Sequence, residues 1–476
     1  MLQYRKESLT YNRIYIFIVL CLLIVTINSE KVFAEEKPRV IVLTDISNEP
    51  DDEESMVRYL VYSNEYDTEA LIATTSVWLR KGTREDLIRR QIDAYGQVRE
   101  TLSKHADGFP TADELYSVTT TGQSGYGMED VGYGKSSDGS KLIIDIVDKA
   151  DDRPVWVSVW GGANTLAQAL WDVKYSRSQE ELQSFISKIR VYTISDQDNS
   201  GRWMRVTFPG LFYIVSPCSC ERCKYYESTW SGISGDRFYK NAPYHFFDLV
   251  DNPWIKENII QNHGPLGALY PPVAYIMEGD TPSYIGLINN GLGSHISPTY
   301  GGWGGRYVLF HSYGETRPIY TNSRDTVTAQ NGKVYTSAQA TVWRWRDAYQ
   351  YDFAARMDWC VEDKYENANH NPIAILNGDT SKDVLEMTVK SGEMVSLTAN
   401  GSKDPDSDTI RYMWFRYNEA DTYSREITLT NNTGVETGFN APTVDTKQTI
   451  HVILTVKDDG EPNLRSYRRA IITVVP

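Results

Sequence analysis

Basic residues, histidine and cysteine are all scarce in this sequence. The 476-residue chain carries 48 Lys and Arg against 63 Asp and Glu, a net charge of -15. Nucleic acids and anionic membranes are bound through basic faces, so neither is an expected partner. The seven His residues show no zinc-protease spacing, His245 and His263 read as structural, and no Gly-x-Ser-x-Gly elbow occurs. Gly301–Tyr307 is glycine-rich but lacks the strand-to-helix context and the lysine of a phosphate loop. It reads instead as a close backbone bend presenting Trp303 and Arg306. Long apolar runs are also rare. The one present, Ile14 to Ile27, follows Arg5, Lys6 and Arg13 and precedes Val32-Phe33-Ala34. That pattern predicts a signal peptide over residues 1–34, cleaved after Ala34, with an uncleaved anchor as the rival. Cys21 lies inside the run and makes a poor lipid anchor. The mature protein is expected to be secreted or periplasmic, with no membrane contact after cleavage.

Without that segment four cysteines remain: Cys218, Cys220, Cys223 and Cys360. An oxidising compartment favours disulfides among them, and a zinc site using Cys360 or a His as fourth ligand is the alternative. Their pairing cannot be read from spacing.

Acids and aromatics are what the chain has in plenty, including 12 Trp and 32 Tyr. Apolar, β-branched runs at Arg39–Thr44, Ala70–Thr75, Pro154–Trp160 and Lys188–Ile194 alternate with helical patterns at Asp52–Ser63, Arg84–Leu102 and Thr165–Trp171. Such alternation predicts an α/β fold, a mostly parallel sheet flanked by helices, with its site at the carboxyl ends of the strands. After Asn367–Pro372 the pattern changes to short strands at Met394–Thr398, Ile410–Tyr417, Thr449–Lys457 and Arg469–Val475, separated by turn residues. A small all-β sandwich is expected there. The resulting division is residues 35–366 and 367–476.

The segment Thr44-Asp45-Ile46-Ser47-Asn48-Glu49-Pro50-Asp51-Asp52-Glu53 runs from a buried strand into a helix. Carboxylates this dense repel one another unless neutralised, and a calcium ion with its six to eight oxygen ligands does so. The plainer reading is an acidic turn that complements the helix dipole.

The order Asp45, Asp51, Asp52 after a strand resembles the opening of the nucleoside hydrolases. Trp160-Gly161-Gly162-Ala163-Asn164-Thr165-Leu166-Ala167 is similar to that family's second glycine-containing turn, and Glu278-Gly279-Asp280-Thr281-Pro282 to its late acidic ligand. Asp45–Ser55, Ile194–Asp198, Gly301–Tyr307, Asn369–Pro372 and the C-terminal part resemble exported cellulose-binding proteins that join a nucleoside-hydrolase-like domain to an Ig- or cadherin-like sandwich. The resemblance implies Ca²⁺ held by Asp45, Asp52, Asp280 and the Trp160 carbonyl. It makes Asp45 the base that activates water and Asp51 a catalytic or sugar-hydroxyl partner. Candidate sugar contacts are Asn48, Trp78, Asp196, Asn199, Trp203 and Glu278; Asp198 lies on the same rim. The sequence also departs from the nucleoside hydrolases. The loop is two residues longer, Leu43 replaces an Asp, Gly279 replaces a leaving-group His, and Ser76-Val77-Trp78 replaces a sugar-binding Asn. The implied function is calcium-dependent hydrolysis of an N-ribosyl-like or other glycosidic bond. The alternative is a non-catalytic polysaccharide-binding protein on the same scaffold, with cellulose as the expected ligand.

In the C-terminal part, Asp404-Pro405-Asp406-Ser407-Asp408 alternates acids but lacks the Gly and distal Glu of an EF-hand loop. It resembles the turn of polycystic-kidney-type or cadherin-like domains.

Overall fold

The first described strand, β1 (Arg39–Thr44), is buried at every position, as its unbroken apolar character requires of a strand covered on both faces. The computed structural model describes residues 36–476 except 48, 217–226, 236–244 and 313. The expected signal segment, Asn48 and Cys218, Cys220 and Cys223 therefore lie outside the described residues.

β1 pairs in parallel with β2 (Asp67–Ala73) on one side and β4 (Val155–Val159) on the other. The sheet extends through β3 (Thr119–Thr121), β5 (Ile189–Thr193), β6 (Phe212–Val215), β7 (Tyr307–Phe310) and β8 (Ile319–Asn322), in the order β3-β2-β1-β4-β5-β6-β8-β7. Only β7 runs antiparallel to its neighbour. The order steps outward from β1 in both directions, so the β1–β4 crevice is the switch point at which such sheets place their sites.

Helix α1 (Pro50–Val61) follows β1. Pro50 opens it with its fixed φ, Asp51, Asp52 and Glu53 fill the first turn, and Arg58 lies in the last. α2 (Glu85–Leu102) is amphipathic and buries Leu87, Ile88, Gln91, Ile92, Ala94, Tyr95, Val98 and Leu102. α3 (Asp138–Asp148), α4 (Asn164–Ser176), α5 (Gln179–Ser187) and α6 (Ser200–Thr207) cover the opposite face with α7 (Arg346–Trp359) on the α1 side. Two cores result, one either side of the sheet: residues such as Val40, Val42 and Leu71 face one, and Ile41, Leu43 and Ile72 face the other.

The C-terminal part holds a four-stranded sheet, Leu385–Lys390, Arg465–Val475, Gln448–Lys457 and Arg411–Arg416 in spatial order, and a pair, Met394–Thr398 with Glu436–Asn440. The pairings are antiparallel except Leu385–Lys390 beside Arg465–Val475. Its own core includes Val395, Leu397, Trp414, Phe439 and Ile472. Residues Pro38–Pro476 nonetheless form one compact unit. Tyr417, Ile453 and Tyr467 join the α/β core, and Arg469 donates to the carbonyls of Leu292, Tyr300 and Gly301. Trp303 and Arg306, expected at an exposed bend, are buried: Trp303 meets Tyr467 edge-on and Arg306 pairs with Asp325. No described helix is long and apolar enough to cross a membrane. Cys360 is a buried free thiol.

Candidate functional site

β1 ends at Thr44, and Asp45 lies one residue beyond it, 4% exposed. Pro50 starts α1 at once, so Asp51 and Asp52 fall in the first turn with their carboxylates near Asp45. Asp280 arrives from a separate turn before Pro282–Ile285. Ligand oxygens of Asp51, Asp52 and Asp280 lie within 4.8 Å of one another, and all three residues are buried.

The surroundings hold these acids without neutralising them. Ser76 Oγ donates to Asp45 Oδ2, and Thr44 Oγ1 donates to Asp52 Oδ1. The Gly279 backbone N–H supports Asp51. Asp280 Oδ2 is buried and has no hydrogen-bond partner. Burial, then the negative charges of Glu49 and Asp45, push the Asp51 carboxyl up to about 8. Burial and the neighbouring carboxylates likewise hold Asp52 and Asp280 well above the usual range, and burial raises Asp45. A donor set made only of oxygens, negative and partly unsatisfied, fits a hard divalent cation.

Two glycines let the sheet close on these acids. A Cβ at Gly161 would collide with Asp45 Oδ1, and one at Gly162 would lie 2.6 Å from Asp198 Oδ2. Asp198 is 7% exposed, its Oδ1 accepts from Ser200 N at 2.8 Å, and its Oδ2 has no partner. Burial chiefly raises it to about 6. Unsatisfied buried oxygens of Asn164 and Gln197 lie on the same strand-end turns.

The other expected positions divide. Trp78 is 52% exposed, and its backbone N–H donates to Ser76 Oγ, which places it beside Asp45 at the rim. The Trp160 carbonyl accepts from the Gln197 amide. Asp51, expected beside the metal shell, belongs to the carboxylate triplet itself, and Asp45 stands next to it. Asn48 lies outside the described residues.

Four expected sugar contacts are engaged elsewhere. Glu278 is fully buried: Arg58 grips both its oxygens and Tyr270 Oη donates at 2.8 Å, so it faces inward and not toward a substrate. Asp196 forms a two-point pair with Arg205, at 2.8 and 2.7 Å. Asn199 Oδ1 accepts from Met128 N at 2.8 Å, and Trp203 packs edge-on against Phe208. Asp196 and Asn199 share one physical reason: the turn after β5 spends their polar groups on α6 and on the turn at Met128. Glu278 is instead drawn inward by Arg58 of α1, and Trp203 by apolar packing within its own helix region.

Thr44, Ser76 and Trp230 were not expected here. Trp230 stands against Gly279, where an added Cβ would lie 3.2 Å from its Cζ3 and 2.8 Å from Asp51 Oδ2. No spacing signal marks Trp230, whereas Ser76 occupies the end of the predicted second strand.

Residues 39–307 match the family model described as cellulose-binding Sde182, nucleoside hydrolase-like domain, and residues 394–474 match that of the cellulose-binding protein Sde0182 C-terminal domain. Among solved structures, a nucleoside hydrolase-related hypothetical protein from Saccharophagus degradans, associated with carbohydrate metabolism, is 41% identical. The match covers 92% of this chain and 100% of that one, with a TM-score of 0.77. The effector protein XOO4466 matches over 69% of this chain and 95% of its own at 10% identity and a TM-score of 0.37. The type III effector XopQ, complexed with adenosine diphosphate ribose, matches over 69% and 96% at 11% identity and 0.33. The two effectors are too distant to carry an argument. No curated protein matches the chain. Because the first model spans more than half of the sequence and the 41% identical structure covers nearly all of it, the chain belongs to the Sde182 cellulose-binding family with a nucleoside hydrolase-like domain.

Proposed function

We propose that the protein is an exported, calcium-dependent hydrolase of a glycosidic bond, N-ribosyl-like or in a larger carbohydrate. The observation that carries this reading is the convergence of Asp45, Asp51, Asp52 and Asp280 at the β1 crevice with one buried carboxylate oxygen unpartnered. Asp51, Asp52 and Asp280 would hold the cation, with Asp45 and the Trp160 carbonyl beside them. When bound, the cation supplies charge neutralisation and Lewis acidity.

Asp45 accepts the proton of the attacking water. The Ser76 hydroxyl bonds to Asp45 Oδ2 and fixes the carboxylate's orientation, leaving Oδ1 against Gly161. Trp78, exposed on the rim, offers a face on which a sugar ring stacks. Asp198 Oδ2, buried and unpartnered, is suited to a sugar hydroxyl, a role expected of that turn in general.

A second reading has its own observation. Gly279 is wedged against Asp51 and Trp230, so the position before Asp280 has no room for a side chain that protonates a leaving group. On that ground the same crevice would bind carbohydrate, cellulose included, without turning it over. Nitrophenyl ribosides, nucleosides and cello-oligosaccharides, each with calcium or chelator, separate the two. Hydrolysis that needs calcium and falls at least a hundredfold in Asp45→Asn supports the enzyme. Retention on cellulose with no turnover of any of these supports the binding protein.

A further inference from the structure

At the end of the sheet opposite the acids, the amino ends of β5, β6 and β8 frame a cleft of about 390 Å³, lined by both Arg190 and Arg317. Two contacts bring the guanidinium groups to one short segment. Arg317 Nη2 donates to the Leu211 carbonyl at 2.6 Å, and the Arg190 guanidinium lies 5.1 Å from the ring of the next residue, Phe212. Phe212 packs on Tyr320 with ring centroids 5.1 Å apart, and Tyr320 is close enough to act on Arg190 through its charge.

The chain carries a net charge of -15, yet these two cations have no carboxylate partner among the described residues. Arg190 Nη1 donates to the carbonyls of Ser187 at 2.8 Å and Ile189 at 3.1 Å, and Arg317 Nη1 to that of Pro318 at 3.2 Å. Glu315 acts on Arg317 through its charge, but both its oxygens are taken by Arg205, at 3.0 and 2.7 Å. Arg317 Nε is buried and has no hydrogen-bond partner. Burial holds both Arg190 and Arg317 below the ordinary arginine value, the mark of a desolvated cation without a countercharge. Arg205, next to them, is raised by Asp196 and Glu315 against the same burial. Both unpaired arginines are half-buried, and a cation in that position costs free energy unless an anion joins it.

We infer that this cleft is a second binding site, taking an acidic sugar of monosaccharide size whose carboxylate or phosphate sits between Arg190 and Arg317. Guanidinium forks match the oxygens of both groups. Phe212, Tyr320 and the 59% exposed Leu309 of β7 give the cleft an apolar wall for the face of a sugar ring. Its volume lies at the lower end of the range for small-molecule pockets. The site owes nothing to the strand-end acids, which occupy the carboxyl ends of the same sheet.

The test is isothermal titration calorimetry on the full chain, freed of metal by dialysis, with glucuronate, glucose 6-phosphate and uncharged glucose. Wild type is compared with Arg190→Gln, Arg190→Lys, Arg317→Gln and Asp280→Asn, each checked for folding by circular dichroism. The expected result is that at least one acidic sugar binds and glucose does not. Arg190→Gln and Arg317→Gln should each weaken that binding by about tenfold or more, Arg190→Lys by less, and Asp280→Asn not at all. Binding of glucuronate alone supports the site and identifies a carboxylate ligand; binding of glucose 6-phosphate alone supports it and identifies a phosphate. Failure of both acidic sugars to bind overturns the site, as does equal binding of glucose. Unchanged affinity in either folded Gln variant overturns it too, and a loss confined to Asp280→Asn assigns the sugar to the strand-end crevice instead.

Discussion

Glu278 and Asp280 are two residues apart, both buried, and treated in opposite ways. Glu278 is met by the Arg58 guanidinium, by Tyr270 Oη and by Thr281 Oγ1. Arg58 in turn stacks over Phe353 at 3.9 Å and donates to the Tyr349 carbonyl at 2.9 Å. Asp280 has carboxylates for neighbours and an oxygen with no partner. The protein supplies the countercharge for the first acid, and among the described residues none is paired with the second. Burial alone therefore does not mark a functional carboxylate; the missing cation does.

Cutting the internal pair should have the largest effect. Arg58→Met strands Glu278 in the core and should lower stability by about 3–5 kcal/mol in urea unfolding, with or without calcium. If calcium rescued that loss, the two acids would not be separate systems. Next comes the external countercharge. Calcium at a hundred times its dissociation constant should raise stability by about 2.7 kcal/mol at the Asp51–Asp52–Asp280 triplet. Asp280→Asn should abolish the part of the stabilisation due to that triplet, and a full response in Asp280→Asn would break the contrast.

A buried base offers the acid-side counterpart. His451 is 3% exposed and its Nδ1 accepts from Arg469 Nη1 at 3.0 Å, and burial, then the Arg469 charge, lowers it to about 3. Its folded value is depressed, so its contribution is complete above its unfolded value near 6.5 and is lost as pH falls towards about 3. Stability should drop by about 2 kcal/mol between about pH 7 and about pH 5, and His451→Gln should flatten that slope in thermal melts.

Ser76→Ala should be mildest, costing about 1 kcal/mol of stability. Because the Ser76 bond lowers Asp45 while burial raises it, its loss should move the acid limb of any pH–rate profile upward.

Much of this arrangement is legible before the structure. Arg39–Thr44 can only be a strand covered on both faces, and Asp45, Asp51 and Asp52 follow it too closely to point apart. The strand at 394–398 is marked by alternation, that at 449–457 by its apolar, β-branched run, and both by flanking turn residues. Leu385–Lys390 is hidden because only alternate residues are partly covered and its partner, Arg465–Val475, comes much later in the chain. Glu278 misleads for a related reason. Its arginine lies 220 residues earlier, and no local pattern announces a pair of that separation. Trp230 is likewise brought to Gly279 only by tertiary packing. Local spacing reveals which acids gather; only the fold reveals which of them are already neutralised.

The central claim is most directly tested by crystals grown with manganese as an anomalous stand-in for calcium. The account predicts a peak coordinated by Asp51, Asp52 and Asp280, lost in Asp280→Asn. A wild-type map at saturating manganese with no peak among these three carboxylates would contradict it.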